Sequence, residues 1–420
     1  MKSYGSYTES GAVLSPEYLL EADTLAWDSE TTGLSRLSAY PHGIAVCMDK
    51  HRAYWIPKDH PALSIMVNKL QISHNSKYDL AMMKNIGITV PLLPIDTMIA
   101  AHMIGRTVYD LKTLAMVDLG KDHIDFTDIG KSFEGMDYDA MAKFSGLHAI
   151  HTLELWNKYE RKLKMLGSYD LFMNTEMPLI PLLADMERAG VAVDHDRIVE
   201  LGTYFKGKQT EIEGKLNQIS PRKGINYNSP HQVGPILFED LGVPIDRRTK
   251  KENKPSVDAR QLEKHRDKFP FVDLYLQYKG YSTLIDSYSD SLVKDIIEGR
   301  IYCSFNQTGT VTGRLSSSKP NLQKIPKKSA EGKKIRTAFI APRGYVLLRV
   351  DANQLELRIA GICSNDENII NAYLSGRDMH DETARRVFGG SSKRREAKNL
   401  NFKIIYGGAA GIEETRFKKA

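Results

Sequence analysis

Apolar runs and helical spacings alternate along this chain and predict both strands and helices. Apolar runs typical of strands occur at residues 24–27, in GIAVCM and in RAYWIP, and the polar turn SHNSKYD then leads into a helix. Further helices are predicted at DTMIAAHMI, DLKTLAMVDL, 171–189 and 195–219, and two more within 261–296. Gly190 is placed to end the third of these helices. Residues 301–326 alternate like a strand and then become rich in turn residues. The pattern predicts an α/β chain.

The stretch VLLRVDANQLELRIA, residues 346–360, is predicted to be a strand that runs directly into a helix. Residues 346–350 are mostly apolar, and Leu355 and Ile359 then follow at helical spacing. Asp351 stands at the junction, where a carboxylate is costly unless it is solvated, hydrogen-bonded or bound to a cation. An isolated Asp here is more often a helix N-cap, but the acidic and basic residues that follow favour a functional site.

A second helix, KRREAKNLNFKIIYGG, carries Arg394, Lys398, Phe402 and Tyr406 at four-residue intervals. Each step turns only about 40° around the helix axis, so the four side chains form one tilted stripe. Cations suit phosphate oxygens and aromatic rings suit the face of a base. The residues alone leave a second interpretation open, in which this is a solvated basic face with two aromatic rings turned to the core.

These two stretches resemble motifs A and B of the family A DNA polymerases, the DNA polymerase I type, whose patterns are close to DYSQIELR and RRxxKxxNFGxxYG. The resemblance implies that Asp351 is one of two palm carboxylates that hold catalytic Mg²⁺, and that Glu356 is the steric gate against ribonucleotides. It also implies that Gln354 lies at the nucleotide and Arg358 at the DNA. Ala352, Asn353 and Lys403 depart from the family's usual Tyr, Ser and Gly.

The same resemblance assigns the residues of the second stripe. It implies that Arg394 and Lys398 contact the triphosphate of an incoming dNTP, and that Phe402 and Tyr406 flank the nascent base pair. His380, in GRDMHDETA, matches the family's phosphate-contacting histidine.

The segment RIYCSFNQTGTVTGRLSSSKPNLQKIP is similar to the entry to the palm in this family. By that resemblance Arg314 contacts the primer end or the incoming nucleotide. Gln307, Asn321 and Gln323 are implied to lie near the primer-template DNA.

Near the N-terminus, Asp28 and Glu30 are two residues apart on a predicted strand, so both can point to the same face and converge on one cation. Asp79 follows Tyr78 at the start of the next helix. WDSETTGL, NSKYD and DTM, in this order, resemble the ribonuclease H-like 3′–5′ exonuclease domain of the same family. That resemblance implies a two-metal site that hydrolyses the terminal phosphodiester.

The third exonuclease motif departs from the family's Tyr-x-x-x-Asp. In KFSGLHAIHTLEL, Phe144 stands in place of the Tyr and His148 in place of the Asp. An imidazole suits Zn²⁺ or Mn²⁺ better than Mg²⁺, so we expect an exonuclease that is weak, shifted towards Mn²⁺, or inactive. The alternative is that His148 is a helix residue with no catalytic role.

The resemblance predicts four parts: an exonuclease domain at 1–165, a linker and helical thumb at 166–299, a partial palm with an antiparallel sheet at 300–362, and partial helical fingers at 363–420. The His-Asp-Glu turn expected after motif B does not occur, and the HDE at His380 lies upstream of it. We therefore expect one half of a split, phage-like polymerase that a C-terminal fragment on another chain completes; a truncated chain is the alternative. A stand-alone exonuclease with a DNA-binding appendage and a non-catalytic DNA-binding subunit are rival hypotheses.

Composition restricts the class of protein only mildly. The 420 residues carry a formal charge of +6, which is compatible with nucleic acid. Three widely spaced cysteines indicate a reducing compartment, and no apolar run is long enough to span a bilayer. We expect a cytoplasmic protein of a bacterial or phage-infected cell. The middle region has no long insertion, which argues against a thioredoxin-type processivity factor.

Overall fold

The structure is a computed structural model that describes residues 22–122, 138–249 and 253–407, with backbone alone for 138–143. The ends of the predicted exonuclease and fingers ranges, 1–21 and 408–420, and part of the region before the third exonuclease motif therefore lie outside the described residues. The chain divides into two compact units, Met1–Tyr345 and Val346–Ala420. The domain boundaries predicted at 165 and 299 fall inside the first unit and stay predictions.

A five-stranded mixed sheet begins the first unit. Its strands are β1 (Thr24–Thr31), β2 (Pro41–Cys47), β3 (Ala53–Pro57), β4 (Leu70–Ser73) and β5 (Ile95–Asp96). The spatial order is β3-β2-β1-β4-β5, with antiparallel pairing from β1 to β3 and parallel pairing from β1 to β5. The central strand β1 continues through Asp28 and Glu30 to Thr31, so these two residues lie on a strand, as predicted.

Alternation along β1 produces two buried faces. Leu25 and Trp27 pack into one core cluster, and Ala26 packs into a second cluster beneath the helix that carries His148. On β2 the position of Gly43 has no room for a side chain, since a Cβ atom there would clash with the indole of Trp55. The two cores hold β1 rigidly in the middle of the sheet.

Helices α1 (Ala62–Met66), α2 (Ser76–Asn85), α3 (Thr97–Met103), α4 (Leu111–Leu114) and α5 (Tyr138–Met165) accompany this sheet. The helices predicted at DTMIAAHMI and DLKTLAMVDL are confirmed as α3 and α4, the latter continuing in a π-helical turn at Ala115–Leu119. Helix α5 packs Phe144, Ile150, Leu153 and Trp156 into the second core cluster. This packing brings His148 to the sheet.

The middle of the first unit is helical, as predicted. Its helices are α6 (Tyr169–Leu171), α7 (Met177–Ala189), α8 (His195–Ile219), α9 (Pro230–Pro235), α10 (Ala259–Leu262), α11 (Pro270–Ile285) and α12 (Ser291–Lys294). Three π-helical turns, Phe172–Glu176, Ile236–Asp240 and Asp286–Asp290, and a 3₁₀ turn, Glu263–His265, continue these helices. Gly190 follows α7 at a φ of 61°, which confirms it as the residue that ends the helix.

Short antiparallel strands close the first unit. They are β6 (Val191–Ala192), β7 (Ile296–Ile297), β8 (Arg300–Ile301), β9 (Ser304–Asn306) and β10 (Ser316–Ser318). β6, β8 and β7 form one sheet, and β9 pairs with β10 as a hairpin. A 3₁₀ turn, Leu322–Lys324, and helix α13 (Ala330–Arg336) follow.

The second unit contains α14 (Leu355–Ser364), α15 (Glu367–Leu374), α16 (Met379–Phe388), a 3₁₀ turn (Ser391–Lys393) and α17 (Arg394–Ile405). The helices predicted after Asp351 and at KRREAKNLNFK are confirmed as α14 and α17. The strand predicted at 346–350 is wrong: these residues are exposed and pair with no described strand. A strand is defined by its pairing, and the described part of the chain offers this segment no neighbour.

The predicted combination of α-helices and β-sheets is confirmed. Within the described ranges, no helix is both long enough and apolar enough to cross a bilayer.

Candidate functional sites

The first candidate site lies on β1. Asp28 and Glu30 point to one face of the strand, as predicted, and His148 reaches the same place from α5. One ligand atom from each of these three side chains lies within 4.8 Å of the others. His148 Nδ1 lies 3.1 Å from Asp28 Oδ2. Because β1 and α5 are far apart in the sequence, the set forms only when the sheet and the helix pack together.

Burial beside Asp28 makes the carboxyl group of Glu30 expensive to ionise. Glu30 is only 7% exposed, and its burial, together with the charge of Asp28, raises its pKa to about 8. His148 and Ser145 partly offset this rise by lowering the pKa of Glu30. The Ser145 hydroxyl donates a hydrogen bond to Glu30 Oε1 at 2.6 Å. A cation bound between the carboxylates would relieve their repulsion.

Asp79 is placed beside this group but outside its 4.8 Å cluster. Its carboxylate is buried and accepts a hydrogen bond from Ser29 Oγ at 2.6 Å. Burial, followed by the charge of Asp28, raises the pKa of Asp79 well above its usual value. The structure thus brings the predicted ligands Asp28, Glu30 and His148 together, whereas the fourth, Asp79, is hydrogen-bonded to Ser29 beside them.

The residues in this site fit a divalent cation. Two carboxylates and one imidazole nitrogen form a mixed oxygen and nitrogen donor set, which suits Mn²⁺ or Zn²⁺ better than Mg²⁺. The ring of Phe144 lies 4.3 Å from that of His148, centroid to centroid, at 59°. Phe144 therefore packs against the imidazole, but it has no hydroxyl with which to orient a water molecule.

Sequence reasoning missed Ser29 and Ser145. Ser145 precedes His148 by three residues on α5, so the helical period places both on one face. That spacing could have identified Ser145 as a residue of the site from the sequence. The partner of Ser29, by contrast, lies on another element.

The second candidate site lies in the second unit and centres on Asp378, which the sequence analysis did not single out. Its carboxylate accepts from Arg394 Nη2 and from Gln354 Nε2, each at 2.7 Å. It also caps α16 by accepting from the backbone N–H groups of His380 and Asp381. The carboxylate thus links the segments that carry Gln354, His380 and Arg394. Its position directly before a helix was a capping signal, but nothing local pointed to Arg394.

The stripe on α17 forms as predicted. The rings of Phe402 and Tyr406 are stacked at 19°, with centroids 6.4 Å apart, and Lys398 Nζ lies 5.7 Å from the centroid of Phe402. The ring of His380 lies 5.9 Å from Phe402. His380 is buried, contacts Asn401 Nδ2 at 3.1 Å, and has a pKa that burial lowers below its usual value. Cations and stacked rings therefore occupy one face.

The motif A residues are only partly joined to this network. Tyr373 donates to Gln354 Oε1 at 2.8 Å, and the guanidinium of Arg358 lies 4.2 Å above the Tyr373 ring. Glu356 is half-buried in the first turn of α14. Asp351 is exposed, and no group of three or more potential metal ligands among the described residues includes it.

The remaining predicted DNA contacts lie in the first unit around the β9–β10 hairpin. Gln307 Nε2 donates to the backbone carbonyl and the carboxylate of Glu176, at 3.0 and 2.7 Å. Asn321 accepts from Ser317, and Gln323 donates to the carbonyl of Leu315. The side chain of Arg314 is exposed. The three amide side chains therefore hold the hairpin region through protein contacts, whereas Arg314 is exposed.

Comparison with known protein families identifies the family of this chain. A model of DNA polymerase family A matches residues 195–415, more than half of the chain, and a 3′–5′ exonuclease model matches residues 8–164. The chain belongs to DNA polymerase family A and carries a 3′–5′ exonuclease-like region ahead of its polymerase region. The predicted resemblance is confirmed.

Curated relatives show the same relationship. The chain is 32% identical to DNA polymerase I of Pseudomonas aeruginosa over 93% of its own length and 47% of that protein. It is 35% identical to DNA polymerase I of Bacillus subtilis over 84% of the chain and 42% of that protein. The chain therefore spans less than half of the length of these relatives.

A solved structure has the same fold. The POL domain of Pol1 from M. smegmatis, in complex with DNA primer-template and dNTP, matches with a TM-score of 0.83. The match covers 99% of this chain and 76% of that one at 24% identity. The expected combination of exonuclease and polymerase folds is confirmed.

Proposed function

We propose that this chain is the primer-template-binding and dNTP-binding portion of a DNA-directed DNA polymerase. It would add deoxynucleotides to a primer once a polypeptide carrying the second palm carboxylate completes the site. The observation that carries this proposal is the junction at Asp378, where side chains from three polymerase-like motifs meet within hydrogen-bond distance.

Each side chain on α17 has a role that suits its chemistry. Arg394 and Lys398 would bind the triphosphate, and the stacked rings of Phe402 and Tyr406 would support the base. Arg394 already contacts Asp378 at 2.7 Å and Asp381 at 3.3 Å. Before the nucleotide binds, Asp378 would keep the guanidinium aimed at the site. The triphosphate would then compete with the two carboxylates for this guanidinium. His380, held by Asn401, would present its ring beside the phosphates.

The residues before α14 would act on the sugar and the metal. Glu356, half-buried in the first turn, would exclude a ribose 2′-hydroxyl. Asp351 would hold Mg²⁺, which when bound neutralises phosphate charge and favours ionisation of the primer hydroxyl. The primer-template DNA would contact Arg314, Arg358, Gln307, Asn321 and Gln323. The three amide side chains among them would first have to release their present hydrogen-bond partners.

The polypeptide that completes the site would supply the other carboxylate and cover the exposed segment 346–350. We assign this role to a C-terminal polymerase fragment on another chain. Support comes from the exposure of four large apolar side chains in five residues, since such a patch marks an interaction surface.

Primer extension by the complemented pair tests this function. Lys398→Ala should lower dNTP incorporation by at least tenfold, since it removes a charge-assisted contact with the triphosphate. Lys403→Ala removes the same charge from an exposed position on another face of α17 and should leave incorporation unchanged. Equal activity of the two variants would leave a non-catalytic DNA-binding subunit as the better description. Rapid extension by this chain without a companion would disprove the need for completion.

The cluster of Asp28, Glu30 and His148 supports a second function, a 3′–5′ exonuclease that depends on Mn²⁺. These residues would hold the metal, which supplies an activated hydroxide when bound. Without a hydroxyl at Phe144 and with a neutral ligand at His148, we expect this activity to be severely impaired in Mg²⁺. In Mn²⁺, but not in Mg²⁺, the wild type should digest single-stranded DNA faster than the Asp28→Ala variant. No difference from Asp28→Ala in either metal would rule out the nuclease.

A further inference from the structure

A basic pocket of about 470 Å³ lies at the C-terminal end of α5, in the first unit. Lys158, Arg161, Lys162 and Met165 line it from one helix face, at the spacing i, i+3, i+4 and i+7. The turn after α3 closes the other side with Ile104 and Arg106. Arg161 lies thirteen residues beyond His148 on the same helix, so about 20 Å of helix separates the pocket from the acidic site.

Asp118 fixes two of the four cations in this pocket. Its buried carboxylate accepts from Arg106 Nε at 3.0 Å and lies 3.3 Å from Lys158 Nζ. The hydroxyl of Tyr159 donates to the same carboxylate at 2.7 Å. These three contacts hold Arg106 and Lys158 in place at the wall of the pocket.

The other two cations, Arg161 and Lys162, are exposed and have no carboxylate partner among the described residues. Four cations against one carboxylate leave a local excess of three positive charges, and no acidic side chain lines the pocket. A metal ion is therefore excluded by charge, and an anion with several negative oxygens is favoured.

We propose that this pocket binds the phosphates of nucleotide units, at a site separate from both the acidic site and the stripe on α17. The two restrained cations and the two unpaired ones would bind phosphate oxygens, with the guanidinium of Arg161 suited to bidentate contact. The apolar surfaces of Ile104 and Met165 would contact a sugar or base. The volume of 470 Å³ lies within the range of small-ligand sites, and a strand of DNA or a free mononucleotide presents the same chemistry.

Oligonucleotide binding at several salt concentrations tests the proposal on the full chain. The double variant R161Q/K162Q should weaken binding of labelled oligo(dT) about tenfold. It should also reduce the slope of log affinity against log salt by about 1.4, since each phosphate contact on a single strand contributes about 0.7. The control K50Q/R52Q removes the same charges from the exposed turn between β2 and β3 and should keep the wild-type slope. Equal losses in the two variants would overturn the proposal.

Acetylation of lysines, read by mass spectrometry, locates the ligand without depending on nucleotide incorporation. Oligo(dT) should protect Lys162 and leave Lys50 reactive, and an unprotected Lys162 would refute the site. Protection by dTMP at the same phosphate concentration would identify a free nucleotide as the ligand, and protection by oligo(dT) alone would identify a strand. Equal protection by inorganic phosphate would contradict recognition of a nucleotide.

Discussion

Lys77 and Glu187 form a buried ion pair, with Nζ 2.5 Å from Oε1. The pair joins α2, which carries Asp79, to α7. Glu187 also accepts from Arg36 and from the backbone N–H of Phe305, and Lys77 donates to the carbonyl of Phe305. A single carboxylate thus ties the exonuclease-like sheet region to the hairpin that carries Gln307.

Removal of this carboxylate should destabilise the protein strongly. Glu187→Ala leaves Lys77 buried without its partner, and breaking such a pair costs about 3–5 kcal/mol. Asp185→Ala, two residues earlier on α7, breaks an exposed pair with Lys84 and should cost less than about 1 kcal/mol. Urea unfolding measures both free energies. A similar cost for the two variants would mean that the Glu187 cluster contributes no more than a surface pair.

His151 should make stability fall in mild acid. Burial, then the charges of Lys121 and His148, lower its pKa from 6.5 to about 4. Between these values the unfolded chain binds more protons than the folded one, so stability is lost as the pH falls from 6.5 to 4. This difference in pKa corresponds to at most about 3.4 kcal/mol of unfolding free energy.

His151→Gln should flatten this pH dependence when unfolding is measured at pH 4.5, 5.5 and 7.5. Burial also lowers the pKa of His74, so part of the dependence should remain. His231→Gln, at an exposed position, should leave the wild-type profile unchanged. A His151→Gln profile as steep as that of the wild type would contradict the assignment.

His148→Asp should change the metal preference of the acidic site. A third carboxylate replaces the imidazole nitrogen, and an all-oxygen set favours Mg²⁺ over Mn²⁺ or Zn²⁺. Mg²⁺ should then raise the melting temperature of the variant more than that of the wild type. Mn²⁺ should raise the melting temperature of the wild type more than that of the variant. Phe144→Tyr, which adds a hydroxyl and no ligand charge, serves as the control. Unchanged metal shifts in His148→Asp would show that His148 does not bind the metal.

The sequence predicted those parts of the sites that depend on local periodicity. Asp28 and Glu30 share a face because strands alternate, and Arg394, Lys398, Phe402 and Tyr406 share a stripe because helices repeat. Contacts between distant elements carry no such local signal, so Ser29 with Asp79 and Asp378 with Arg394 were missed. The strand predicted at 346–350 was wrong for the same reason, because pairing depends on a partner that the apolar pattern cannot specify.

Asp378 should contribute more to stability than an ordinary helix cap. Asp366 caps α15 through two backbone N–H groups, so Asp366→Ala should cost about 1 kcal/mol. Asp378→Ala loses the same kind of cap and also the contacts with Arg394 and Gln354, so it should cost about 2 kcal/mol or more. Asp378→Asn keeps a good capping side chain and should fall between these values. Hydrogen exchange of the amides in α16 and α17 measures the effect, and equal costs for the two alanine variants would contradict it.

The exposed segment before Asp351 should bind hydrophobic probes. Val346, Leu348 and Val350 are each at least 84% exposed, and Leu347 is 67% exposed. The double variant L348S/V350S should lower the fluorescence of a bound hydrophobic dye and change the free energy of unfolding by less than about 0.5 kcal/mol, since neither side chain is buried. Val311→Ser removes a single apolar side chain that is 96% exposed in the β9–β10 hairpin and should leave the fluorescence unchanged.

Addition of a C-terminal polymerase fragment should abolish the dye signal of the wild type, because a new strand alongside 346–350 would cover these side chains. Dye binding that is insensitive to both the double variant and the fragment would show that this segment is not the surface where the polymerase site is completed.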